Sequence, residues 1–294
     1  MSATVTARGG RPASSPMPER VSVRPVTFLR VLHSEWLKFW TLRSTWWSLG
    51  LTVVLMVGFA LLFVLALNAV PPDDPEAQQE MEQGMAAGGV LGPSIVTIGY
   101  SFAQLVVAVL GALVMTGEYG TGMVRSTFAA VPGRLSALWA KLLVLLAVTA
   151  VVSAIGVMLA YVATAGTLDN LDLPVDLDDA DHLRSLAGAV LYLMVVAAFS
   201  LGVGTILRHT AASIGVLMAI FFVVPIVFQI IVAASGAEWA IDVNTYLPSV
   251  AGERIMALVT TEGLLEPWTG FAVLGGYAAL ALAGAAVSIK TRDA

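Results

Sequence analysis

Apolar positions in this chain do not alternate with polar ones; they gather into long unbroken runs. Six of these runs, residues 46–67, 94–116, 142–166, 186–207, 211–234 and 268–289, contain no Asp, Glu, Lys or Arg. A helix needs roughly 20 apolar residues to cross the hydrocarbon core of a bilayer. The strands of a membrane β-barrel are shorter and alternate apolar with polar. The pattern therefore predicts an all-α polytopic membrane protein with six transmembrane helices.

Ahead of the first run the period changes. In "FLRVLHSEWLKFWTLRST", a projection at 100° per residue gathers Phe28, Leu29, Leu32, Trp36, Phe39 and Trp40 on one face. Arg30, Ser34, Lys38, Thr41 and Thr45 fall opposite, and Arg43 interrupts the apolar side. This predicts an N-terminal interfacial amphipathic helix over residues 26–45, aromatics in and cations out. Trp46 and Trp47 would anchor the first span at headgroup level. A plain membrane anchor and a lever acting on the first span both fit this periodicity. Residues 1–25, rich in Ser, Pro, Gly and Arg, read as a disordered cytoplasmic tail. No apolar stretch of signal-peptide form follows, so the first span is expected to be retained.

Composition agrees: 58% of the 294 residues are hydrophobic, only 12% are charged, and the mean hydropathy is +0.86. Soluble domains carry about twice that charged fraction. With no cysteine there is neither a disulfide framework nor a thiolate metal site, and three scattered histidines lack metal-ligand spacing. Charge sets the expected orientation. With the N-terminus inside, one face collects 13 of the 15 Lys and Arg, leaving Arg184 and Arg254 on the other. Positive charge marks the cytoplasmic side, so both termini, including the tail 290–294, are expected there. The acidic stretches "PPDDPEAQQEMEQG" and "DNLDLPVDLDDAD" then lie outside as solvated loops. The second lacks the glycine and terminal Glu of an EF-hand.

Between the second and third runs lies "TGEYGTGMVRSTFAAVPGRLSALWAK", with one Glu, two Arg and a Lys. A bare helix–helix connection needs about 2 to 8 residues; the segment 117–141 is far longer. Its glycines permit a tight helix exit, "MVRSTFAAV" can form two helical turns, and "VPGR" supplies a turn. Met123, Val124, Phe128 and Val131 share one face of that short helix, a shape suited to a groove on a soluble partner. "GEYGTG" is not a nucleotide-binding loop, because its spacing is wrong and no G-x-x-x-x-G-K-[ST] exists in the chain. ATP-driven work would need another chain.

This combination resembles the type-2 ATP-binding-cassette exporter permeases. Glu118, Gly120, Gly122, Pro132, Arg134 and Lys141 stand where that family carries its span-2 Glu, its glycine step, its Pro and its basic residues. The likeness runs over about residues 28–289. It implies a permease subunit rather than an enzyme, pairing with a second permease as a homo- or heterodimer in a bacterial plasma membrane. Each copy would dock a separate cytoplasmic ABC ATPase, which alone would hold ATP and Mg, so the chain itself is expected to carry no cofactor and to bind no nucleic acid. Glu118, Met123, Val124, Arg125, Ser126 and Phe128 are the implied ATPase-coupling residues, Glu118 as hinge or hydrogen-bonded strut. The external segment 235–267 is implied to cap the path between spans 5 and 6.

Spans without titratable groups argue against proton or sodium coupling and against a charged-ring pore. They suit export of an amphiphilic or hydrophobic cargo such as a drug, natural product or lipid, as in multidrug efflux. The resemblance puts the path near spans 2 and 5, making Phe102, Gln104, Phe221, Phe222, Phe228 and Gln229 candidate lining residues, each also compatible with helix packing. Pro225 is expected to kink span 5. Ser200 and Gly204 form a small-x-x-x-small pair that suits helix packing. The alternatives are a non-transporting sensor or assembly scaffold of the same architecture and, third, an ion-coupled secondary transporter.

Overall fold

The computed structural model describes residues 27–69, 75–130, 133–259 and 263–291. The predicted tail 1–25, Pro132 and the last three residues lie outside these. Among the described residues every regular element is helical. In chain order they are α1 (Phe28–Thr41), α2 (Arg43–Asn68), α3 (Pro75–Gly88), α4 (Gly92–Thr97), α5 (Tyr100–Thr121), α6 (Met123–Ala130) and α7 (Arg134–Asn170). There follow α8 (Ala180–Leu207), α9 (Thr210–Met218), a π-turn over Ala219–Val223, α10 (Val224–Ser235), α11 (Glu238–Thr245), α12 (Pro248–Glu253) and α13 (Pro267–Thr291). Among the described residues, six helical segments are long and apolar enough to cross a membrane: α2, α4–α5, α7, α8, α9–α10 and α13.

The bundle is built around α8, which packs against α5, α7 and α13. Small residues set these approaches. A Cβ on Gly111 of α5 would stand 2.7 Å from the Ala197 carbonyl and 3.0 Å from Ser200 Cβ, and one on Gly204 would stand 3.0 Å from Ala112. Thus the Ser200–Gly204 pair packs α8 onto α5. A Cβ on Gly202, on another side of α8, would stand 2.8 Å from Ala281 of α13. Lipid tails are as apolar as leucine, so close contact rather than hydrophobic exclusion holds such helices together.

Two connecting segments are more helical than expected. Residues 75–88 form α3 because Ala, Gln, Glu and Met favour helix. Its end is set by Gly89 at φ +61°, with the Val90 N–H donating to the Met85 carbonyl. Of the 117–141 connection, α5 takes residues up to Thr121 and α7 those from Arg134. Only Gly122 among its three first glycines leaves the helical region, at φ +72°; Gly117 and Gly120 lie within α5.

The fifth segment bends as Pro225 requires. Lacking an N–H, Pro225 cannot bond the carbonyl four residues back and crowds it. The helix answers with the π-turn, in which the Val224 N–H reaches the Ala219 carbonyl. Beyond it, α11 packs on α10, and α12 with a 3-10 turn over Arg254–Met256 folds back as a cap onto α8 and α13.

Candidate functional site

At one end of the bundle α1 lies across α7 and touches α2. Its protein-facing side is the row Val31, Glu35, Phe39, spaced by four and fully buried. Phe28, Leu29, Trp36 and Leu37 are exposed on other sides. The apolar face found by projection is therefore only partly the packed one. Glu35, an acid, sits in the middle of the buried row.

Three more charged groups meet Glu35. Lys141, two turns into α7, donates to Glu35 Oε2 at 2.5 Å and to Glu118 Oε1 at 2.6 Å. Lys38 donates to Glu35 Oε1 at 2.8 Å, to Glu118 Oε1 at 3.1 Å and to Thr127 Oγ1 of α6 at 3.3 Å. The side chains of Glu35, Glu118 and Lys141 are 4%, 6% and 3% exposed, while Lys38 reaches the edge at 33%. Two carboxylates and two ammonium groups form a neutral node, the condition under which charges survive burial. Burial alone would lower the Lys38 ammonium, but the Glu35 carboxylate, with Glu118 beside it, holds it above the ordinary lysine value.

The node joins four elements that are distant in sequence. Through Thr127 the short helix α6 is tied to α1; through Glu118 and Lys141 both are tied to the ends of α5 and α7. Nearby, Arg208 lies 5.1 Å over the ring of Tyr119 and donates to the Ser288 carbonyl at 2.8 Å. Arg134 donates to the Ile289 carbonyl at 3.5 Å. These cations cap the last carbonyls of α13. Beside the node is a cavity of about 780 Å³ between α1, α2, α5, α6 and α7.

The coupling residues implied by the sequence divide. Glu118 is inside the last turn of α5 and accepts from both Lys38 and Lys141. On α6, Val124 is buried, Met123 and Ser126 are exposed, and Ser126 Oγ donates to the Met123 carbonyl at 2.8 Å. The backbones of Arg125 and Phe128 belong to α6, but their side chains lie outside the described residues. Among the path candidates, Gln104 accepts from Tyr192 Oη at 2.5 Å and is buried, and Phe221 is buried edge-on against Phe199. Those two face the interior of this bundle rather than an open path. Phe102, stacked on Phe59, remains exposed with Phe222 and Gln229, and Phe228 packs edge-on against Trp239.

Glu35 was not found by periodicity. The available signal was isolation: it is the sole acid in residues 20–72, on a helix otherwise apolar or basic. Glu118 is similarly alone from residue 83 to 168.

At the opposite end, Glu253 of α12 accepts from Tyr100 Oη at 2.7 Å, and Tyr100 meets the Tyr192 ring edge-on. Burial pushes the Glu253 carboxyl up, against the opposing Tyr100 hydrogen bond and Arg254 charge. Of the acidic loop before α8, Asp179 caps that helix, accepting from the N–H groups of Asp181 and His182 at 2.8 and 3.1 Å.

No curated protein matches the chain. The sequence profile of the ABC-2 family transporter proteins matches residues 30–294, from the first turn of α1 through the whole bundle. The chain belongs to the ABC-2 family of transporter proteins, as a multi-pass membrane component.

Proposed function

We propose that this chain is the permease subunit of an ATP-driven exporter, with α6 as the docking helix for a separate cytoplasmic ATPase. The observation that carries the reading is the bond from α6 into the buried node, Thr127 to Lys38 and Lys38 to Glu118 and Glu35. A short helix pushed by a partner would move α1, α5 and α7 together. A plain turn between two spans has no need of such a tie.

The charge count supports putting the node, both termini and α6 in the cytoplasm. The exposed apolar residues Phe222, Val223, Ile226, Val227 and Ile230 on span 5 support a second permease or lipid against that side. The cargo is amphiphilic or hydrophobic, in keeping with the uncharged spans. ATP and Mg belong to the ATPase.

Met123, exposed at the start of α6, gives the test. Replacing it by Asp puts a charge into the proposed docking face without touching the node. Met123→Asp is expected to cut co-purification of the ATPase from native membranes by about tenfold or more, with unchanged thermal unfolding of the permease. Undiminished co-purification would remove α6 from the docking role.

A further inference from the structure

The cavity beside the node has two chemically distinct parts. Its walls include Phe39, Leu110, Leu113, Val114 and Val144, and the exposed Thr41, Leu42, Ser44 and Thr121 frame its mouth. Its inner end is formed by the charged node. At about 780 Å³ it has the size of a site for a drug-sized ligand.

The hydrogen-bond tally at that inner end selects the ligand. An ammonium has three N–H donors, and Lys38 places all three on Glu35, Glu118 and Thr127. Lys141 directs two of its donors at Glu35 and Glu118. Glu118 Oε1 takes both lysines, whereas Glu118 Oε2 is buried and has no partner among the described residues. Spare capacity at the node therefore lies chiefly on a carboxylate. An anionic headgroup would meet two carboxylates, with one Lys141 N–H left to receive it. A neutral apolar molecule would leave Oε2 buried without a donor, which costs free energy. Oε2 belongs to a carboxylate that lines the cavity, and because the terminal torsion of Glu is broad the group can adjust toward an incoming donor.

We propose that this cavity binds an amphiphile carrying a protonated amine, its apolar part along Leu110, Leu113, Val114 and Val144 and its ammonium on Glu118. Such a molecule has the partition expected of a solute in the inner leaflet, with its tail at the depth of the spans and its charge near headgroup level. The proposal deepens the exporter reading by naming a cargo class, and rests on that reading for the direction of movement only; binding itself is independent of it.

The test uses the permease alone in phosphatidylcholine nanodiscs, without ATPase or ATP. The probe is a dodecylamine with a photoreactive diazirine in its tail, compared with the dodecanol and dodecanoate carrying the same tail. Labelling is mapped by mass spectrometry. The amine is expected to label α5 near residues 110–114 and α7 near 144 about tenfold more than either control. Glu118→Gln should reduce that preference to near unity, and Leu113→Trp, which fills the cavity without touching the node, should suppress labelling by all three probes. Equal labelling by the three headgroups, preference for the carboxylate, or full labelling in Leu113→Trp would overturn the proposal. Should Glu118→Gln fail to fold, the headgroup comparison and Leu113→Trp decide the matter alone. Failure here leaves ATPase docking at α6 untouched, and because Met123 also borders this cavity, the docking variant is kept out of the labelling experiment.

Discussion

The single side chain with most at stake is Lys141, since it alone reaches both buried carboxylates from α7. Lys141→Met would leave Glu35 and Glu118 facing each other with only the half-exposed Lys38 between them. Breaking a buried pair from one side costs about 3–5 kcal/mol, so this variant is expected to lose most of its folded yield, measured by size exclusion and thermal unfolding. Adding Glu35→Gln, which removes the surplus charge, should restore part of it. Glu253 gives a pH signature at the other end. Its folded carboxyl is raised by burial, so its stabilising contribution is full at pH below the ordinary glutamate range and lost as pH rises through the raised value. Thermal stability should therefore fall on going from acid to neutral pH, and Glu253→Gln should flatten that slope. At this scale the sequence was only half legible. Glu118 stood out as a lone acid at a span end, but Glu35 did not, because in a bilayer helical amphipathicity marks the lipid-facing side. The protein-facing side can be as polar as its partners allow.

Among elements, the six spans were readable because each must satisfy its own backbone groups inside hydrocarbon. Their ends were not. Hydropathy stops at the first charge, yet α5 and α7 run on through Glu118 and Lys141 because each of those charges finds its counterpart on a neighbouring helix. Likewise α3 is helix where charge suggested loop, since acidity says where a segment sits and says little about its backbone. The kink at Pro225 was legible from the residue; that it takes the form of a π-turn was not. Packing between elements depends on small residues at α8. Gly111→Leu would drive a branched side chain into the Ala197 carbonyl and Ser200, where even a Cβ comes within 3.0 Å. It is expected to destabilise the bundle by more than the 1–3 kcal/mol typical of overpacking, read as loss of monodisperse protein. Gly117→Ala, which meets open space on the same helix, should be silent.

For the whole molecule, the chain works as a relay only if the node carries motion from α6 to the spans. The absence of cysteine makes that measurable, because any introduced thiol is the sole label site. Gln229, exposed on α10 and far in sequence from α6, is a suitable reporter position. A fluorophore on Gln229→Cys, in nanodiscs with the bound ATPase, should change its emission when ATP is added. Lys38→Met cuts the bond from Thr127 into the node while leaving the Lys141 pairs in place. In that variant the ATPase should stay bound and hydrolyse ATP, and the emission change at residue 229 should disappear. A full ATP-dependent change in Lys38→Met would contradict the account.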